Sequence, residues 1–276
     1  MARQNPIGIF DSGYGGLTIL QEVVKRLPQY DYLYLGDNAR APYGNRSFET
    51  VYQYTLQCVQ WFLSQHCPLI ILACNTASAK ALRTIQQRDL PLLDPGKKVL
   101  GIIRPTTEVI GTYTRTGSIG ILATSGTVSS GSYPIEIARF FPTVKVYQQA
   151  CPLWVPLIEN NQQDTPGAAY FFQSCIHQLL QQSRQMDTIL LACTHYPLIR
   201  KQIREIIPSG IQVLEQGPII AQSLADYLVR HVEISRQLTT NGTRTFYTTD
   251  STHDFDRQAK AFYGEELRSC PLSITS

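Results

Sequence analysis

The sequence carries little charge. Asp, Glu, Lys and Arg make up 16% of it, and the net charge is only +3. The basic residues are scattered, with no arginine-rich tract or basic helix, which argues against nucleic acid as a partner. So small an excess fits an anionic small molecule and equally fits no particular ligand. No apolar run reaches the length of a membrane helix. No apolar signal region precedes the first strand-like segment. The expectation is therefore no membrane association and a cytoplasmic location, where thiols stay reduced. The cysteines number seven, an odd count, and they form no CxxC and no Cys/His cluster. That argues against a disulfide framework and against a metal site. Most of the seven are expected to be small buried apolar residues.

At 276 residues the chain can bury a sizeable core, and its 43% hydrophobic content is ordinary for a globular protein. Apolar runs alternate with amphipathic stretches along its length. Strands are expected at 7–10, 32–35, 68 to Cys74, 99–103, 119–123, 144–148, 188 to Cys193, 212–215 and 244–249. Helices are expected between them, the long one from about Ser47 to Gln65. Such alternation predicts an α/β fold with doubly wound parallel sheets. Two echoes divide the chain. Leu72-Ala73-Cys74-Asn75 returns as Leu191-Ala192-Cys193-Thr194, 119 residues later. The opening Ile7-Gly8-Ile9-Phe10 returns as Ile119-Gly120-Ile121-Leu122 at an offset of 112. The reading is two pseudo-symmetric domains with one site between them. Ligands of such sheets bind beyond the carboxyl ends of the strands. Asp11, Asp37, Cys74, Thr124 and Cys193 all fall there.

Thiolate is the reactive form of cysteine, and a helix start favours it. Cys74 and Cys193 each end an apolar strand and precede polar, helix-opening residues. Buried cysteines in duplicated packing sites would explain the repeat. They would not explain the Ser, Thr, Asn and Gly around both. A single nucleophilic cysteine needs a base, and His195 beside Cys193 offers one, whereas Cys74 has none adjacent. A reaction that uses both thiols is inversion of a carbon centre, with a proton removed from one face and returned to the other. Asp11 taken alone reads as a turn aspartate, and His195 alone as a helix-start histidine. Glycines 13, 15 and 16 also suit a phosphate cradle, but Gly13-Tyr14-Gly15-Gly16 does not match the dinucleotide fingerprint. With Asp37 near the end of the second strand, a nucleotide site stands as a minor alternative.

Taken together, the motifs resemble glutamate racemase, of the aspartate/glutamate racemase superfamily. They are Ile7-Gly8-Ile9-Phe10-Asp11-Ser12-Gly13, Gly36-Asp37, Pro42-Tyr43-Gly44, Ala73-Cys74-Asn75-Thr76, Cys151-Pro152-Leu153 with Glu159, and Cys193-Thr194-His195-Tyr196-Pro197. They span most of the chain. The resemblance implies cofactor-independent exchange of L- and D-glutamate, supplying D-glutamate for peptidoglycan, and a homodimer. It implies that Cys74 acts on the D-glutamate face with help from Asp11, and Cys193 on the L-glutamate face with help from His195. Glu159 is implied as an acidic residue near the second thiol. Asp11, Ser12, Tyr43, Gly44, Asn75, Thr76, Thr124, Thr127, Thr194 and His195 are implied as substrate contacts. It further implies that the tail returns to the first domain, giving 1–98 plus 209–276 and 99–208. One departure stands out: Ile103-Arg104-Pro105-Thr106-Thr107 replaces an expected smaller, glycine- or alanine-containing turn. The alternatives are an aspartate racemase, disfavoured by His195 where glutamate is expected, a non-catalytic amino-acid-binding protein on the same fold, and a one-cysteine hydrolase or decarboxylase.

Overall fold

Every strand pairing in the computed structural model, which describes residues 5–274, is parallel. In chain order the strands are β1 (Ile7–Asp11), β2 (Tyr32–Gly36), β3 (Leu69–Leu72), β4 (Lys98–Gly101), β5 (Ser118–Ala123), β6 (Lys145–Ala150), β7 (Thr188–Ala192), β8 (Gln212–Glu215), β9 (Arg244–Thr248) and β10 (Ser269–Pro271). They form two sheets, β10-β9-β2-β1-β3-β4 and β6-β5-β7-β8. β1, β3, β5 and β7 are buried along their whole length. That is why they read as unbroken apolar runs: helices cover both faces of a parallel sheet, so no face is left for polar side chains.

The duplication is visible in the strand order. β2-β1-β3-β4 in the first sheet has the same arrangement as β6-β5-β7-β8 in the second. β3 and β7, the strands that lead to the two thiols, hold equivalent places beside β1 and β5. The tail adds β9 next to β2 and β10 next to β9. Sheet membership differs from the expected division at both crossings. Lys98–Gly101 pairs with β3 in the first sheet, and Gln212–Glu215 pairs with β7 in the second. Each is a short apolar strand at the end of one unit, and nothing in its composition says which sheet it will join. We propose that the crossings lie near 102 and 216 instead.

Several expected helices are broken. The stretch after Cys74 is α-helical over Asn75–Lys80, then turns through a π segment at Ile85–Asp89 to a last turn at Leu90–Leu93. The helix expected between the strands at 99–103 and 119–123 is instead a turn over Ile103–Thr107 followed by a 3-10 segment at Ile110–Thr112. After His195 the chain makes a 3-10 turn, Tyr196–Ile199, before the helix Arg200–Ile206. The helix Trp154–Glu159 was not expected; at six residues it is too short to show a period. Among the described residues, no helix is long and apolar enough to cross a membrane.

Asp31, just before β2, fastens the returning tail. Its carboxylate accepts hydrogen bonds from Asn241 N (3.2 Å), Asn241 Nδ2 (2.8 Å), Thr243 N (2.8 Å) and Thr243 Oγ1 (2.7 Å). Burial disfavours its charge, yet the hydrogen bonds prevail and lower its pKa to about 2. A carboxylate lowered in this way stabilises the fold above its ordinary pKa, and that contribution is lost as the pH falls through its folded value. Asp31→Ala is expected to cost about 1–3 kcal/mol in urea unfolding at neutral pH, the range for losing hydrogen bonds to a charged group. It should also flatten the loss of stability between about pH 4 and pH 2. Unchanged stability at neutral pH would contradict this role for Asp31.

Candidate active site

β1, β3, β5 and β7 point their carboxyl ends at one cleft between the sheets. Ser12, Cys74, Thr76, Thr124, Cys193 and His195 line it, as do Tyr43, Gly44, Asn75, Glu159 and Thr194. Asp11 and Thr127 lie beneath this lining and are buried. The cleft is also walled by Cys151, Pro152, Val155 and Pro156 from the start of the short helix near Glu159.

On the first side, Cys74 caps the helix Asn75–Lys80. Its Sγ accepts from Ala77 N at 3.5 Å and lies 3.4 Å from Ser12 Oγ. Burial, reinforced by the nearby Asp11 charge, pushes the Cys74 thiol up to about 12. Asp11 is the last residue of β1. Its Oδ1 accepts from Gly13 N at 2.9 Å, and its Oδ2 is buried without a partner in the protein. Burial raises the Asp11 pKa, only partly offset by the charge of His195 and the N–H groups of Gly13 and Gly16.

The second side is built differently. Cys193 Sγ lies 3.9 Å from His195 Nδ1, and His195 Nε2 lies 2.8 Å from Glu159 Oε1. Burial opposes a charged imidazole. The hydrogen bonds to Cys193 and Glu159 more than compensate, so the His195 pKa stands well above its ordinary value. The returning tail supports this chain of groups. Phe262 sets its ring edge against the imidazole at 5.1 Å, and Gln258 Nε2 donates to the Glu159 carbonyl at 3.0 Å.

Hydroxyls join the two sides. Thr76 Oγ1 lies 2.9 Å from Thr124 Oγ1 and 3.5 Å from Thr127 Oγ1, and Thr124 Oγ1 donates to Thr127 Oγ1 at 3.1 Å. Gly126 N donates to the Gly44 carbonyl at 2.8 Å, and Thr18 Oγ1 donates to the Thr194 carbonyl at 2.9 Å. The Tyr43 hydroxyl is already committed to Asp37, so Tyr43 meets the cleft with its backbone and ring.

The features that suggested a nucleotide site have other uses. A Cβ on Gly15 would lie 2.5 Å from His195 Nδ1, and one on Gly16 2.6 Å from the Asp11 Cβ. These glycines therefore let Asp11 and His195 pack against the turn. Asp37 is fully buried, accepting from Arg40 Nε at 2.7 Å and Thr249 Oγ1 at 2.9 Å as well as from Tyr43. Two contributors escaped the sequence reading. Phe262 has no local motif, and Gln216, which bonds to Asn75, lies 141 residues from it.

Residues 14–224 match the Asp/Glu/Hydantoin racemase family. The chain belongs to that family. Among its relatives is the glutamate racemase of Geobacter metallireducens, 38% identical over 262 residues, covering 95% of this chain and 93% of the relative. The Enterococcus faecalis glutamate racemase is 36% identical over 271 residues, covering 96% and 94%. The crystal structure of the Francisella tularensis glutamate racemase in complex with D-glutamate superposes with a TM-score of 0.86 at 28% identity, over 99% of this chain and 98% of that one. Superposition on the Bacillus anthracis glutamate racemase gives 0.88 at 30% identity, over 98% of each chain. Both the fold and the sequence of this family member thus agree with glutamate racemases along nearly their whole length.

The electrostatics of the second side can be checked directly. Replacing Glu159 by Gln removes the negative charge that favours imidazolium, so the His195 pKa should fall, as read from imidazole resonances across pH. A His195 titration identical in the Glu159→Gln variant would show that the carboxylate does not hold the proton.

Proposed function

We propose that this racemase interconverts L- and D-glutamate by a two-thiol proton transfer at Cα, without a cofactor. The observation that carries the proposal is that two buried cysteines end equivalent strands, β3 and β7, of two like-ordered sheets and line one cleft. Deprotonation on one face and reprotonation on the other requires one acid/base group on each side. Their shared location at strand ends supports that use.

In the L-to-D direction, the Cys193 thiolate takes the Cα proton and the Cys74 thiol delivers one to the opposite face. The raised pKa of Cys74 favours its resting thiol form, which suits the donor role. His195, held by Glu159, is the group placed to exchange a proton with Cys193. Asp11 opposes ionisation of Cys74, so the Cys74 thiolate left by the L-to-D step is readily protonated again. Negative charge that develops at Cα spreads into the α-carboxylate, where hydrogen-bond donors stabilise it most. The hydroxyls of Ser12, Thr76, Thr124 and Thr194, with backbone N–H groups around Tyr43, Gly44 and Asn75, are our choice for holding the two carboxylates. Thr127 acts through Thr124 and Thr76.

Supply of D-glutamate for peptidoglycan belongs to this reading. So does a cytoplasmic setting, since the seven free cysteines suit a reducing compartment. A homodimer, which analytical ultracentrifugation can check, also belongs to it.

The direct test is circular dichroism with L-glutamate, D-glutamate and L-aspartate, with no cofactor added. Both enantiomers of glutamate should move to the racemate, and product formed in deuterated water should carry deuterium at Cα. Turnover without deuterium incorporation would point to another reaction, and turnover of aspartate alone to another substrate. Cys74→Ala and Cys193→Ala should each abolish racemisation while the far-ultraviolet spectrum stays unchanged. Full activity in either variant would sink the two-thiol mechanism.

A further inference from the structure

Directly behind the Cys74 helix start lies a closed ring of buried hydrogen bonds that the proton-transfer scheme does not use. The Tyr133 hydroxyl donates to Asn75 Oδ1 at 2.6 Å. Asn75 Nδ2 donates to Gln216 Oε1 at 2.7 Å. Gln216 Nε2 donates back to the Tyr133 hydroxyl at 2.9 Å. The same Nε2 also lies 3.0 Å from Thr106 Oγ1 and 3.3 Å from the Ile102 carbonyl. Asn75, Thr106, Tyr133 and Gln216 are all buried.

The ring has a direction. Each member donates to the next, so reversing any one amide would set like groups against each other. Reversing both amides together would turn the Gln216 oxygen toward the Ile102 carbonyl, which can only accept, so the Asn75 side chain is fixed with its oxygen toward Tyr133 and its nitrogen toward Gln216. Asn75 lines the cleft and follows Cys74 directly. One of its two side-chain N–H bonds is used by the ring, and the other donates to no group among the described residues. The ring also sits where the chain passes between sheets. Ile102 follows β4, and Gln216 follows β8. The unexpected Thr106 in the turn after β4 now has a use, as an acceptor for Gln216.

We propose that Gln216 is a positioning residue: together with Tyr133 it holds the Asn75 amide in the one orientation that offers an N–H to the substrate beside Cys74. The proposal rests on the glutamate reading for the identity of that substrate, though not for the ring itself.

Two variants and two measurements test it. Gln216→Leu keeps the volume and removes the amide, and Tyr133→Phe keeps the ring and removes one hydroxyl. Amide-proton exchange of the Asn75 side chain, followed by NMR, reads the orientation without any turnover. The Asn75 N–H protons should be protected in the wild type and exchange faster in both variants. Kinetics reads the consequence. Each variant should lose about 5- to 100-fold in kcat/KM, led by a rise in KM, as expected when a buried partner is stranded. The double variant should lose little more than the worse single one, because both act through one amide. A purely structural role would lower Tm and leave KM unchanged. Unaltered Asn75 exchange in both variants, or losses that multiply independently, would overturn the proposal. If Gln216→Leu does not fold, Tyr133→Phe decides alone. A wild type that does not racemise glutamate overturns the substrate reading, and Asn75 exchange then decides the positioning role by itself.

Discussion

Cys74 and Asp11 are buried together at the ends of β3 and β1, and among the described residues neither has a cation of its own on that side of the cleft. The cost of charging either group in so dry a place determines the resting chemistry. It keeps Cys74 in its thiol form and lifts the Asp11 pKa above the ordinary carboxylate value. Across the cleft, burial likewise disfavours the charged form of His195 and so pulls its pKa down, but Cys193 and Glu159 overcome it. The two halves share a strand order and differ in how burial is compensated. Under the proposed mechanism, a pseudo-symmetric frame would present two unlike acid/base groups to a substrate with two unlike faces.

The rest of the architecture serves to keep those groups dry and aligned. Thr76, Thr124 and Thr127 form a hydroxyl triangle between the first and second sheets. Gly126 to Gly44 adds a backbone bond, and Thr18 to Thr194 another link. The tail closes the other flank. Its helix Thr252–Tyr263 reaches back to set Phe262 against His195 and Gln258 against Glu159. These contacts explain why the tail must return to the first sheet: β9 on β2, fastened by Asp31, brings that helix within reach of the second thiol's partners.

Much of this was legible in the sequence because it is local. An apolar run that stops at cysteine, followed by helix-opening polar residues, marks a strand end and a site within about ten residues. The parallel α/β class and the duplication follow from such runs and their echo. What stayed hidden depends on distant pairing. The sheet joined by Lys98–Gly101 or by Gln212–Glu215 is decided by tertiary packing, since both are short strands of similar character. The Asn75–Gln216–Tyr133 ring joins residues with no shared motif. The glycines of 13–16 could be recognised as a tight turn, but only the structure shows that Gly15 makes room for Thr194 and His195. Asp37 likewise reads as a free acid at a strand end and is in fact consumed by Arg40, Tyr43 and Thr249.

The central claim is that each thiol serves one face of the substrate. Primary deuterium isotope effects on Cα-deuterated L- and D-glutamate, measured for Cys74→Ser and Cys193→Ser, test it most directly. Serine is a poorer acid and base than cysteine, so each replacement should slow only the transfer its own position carries. The account predicts a crossed pattern: relative to the wild type, Cys74→Ser raises the isotope effect with deuterated D-glutamate, and Cys193→Ser raises it with deuterated L-glutamate. Equal effects from both enantiomers in both variants would contradict it.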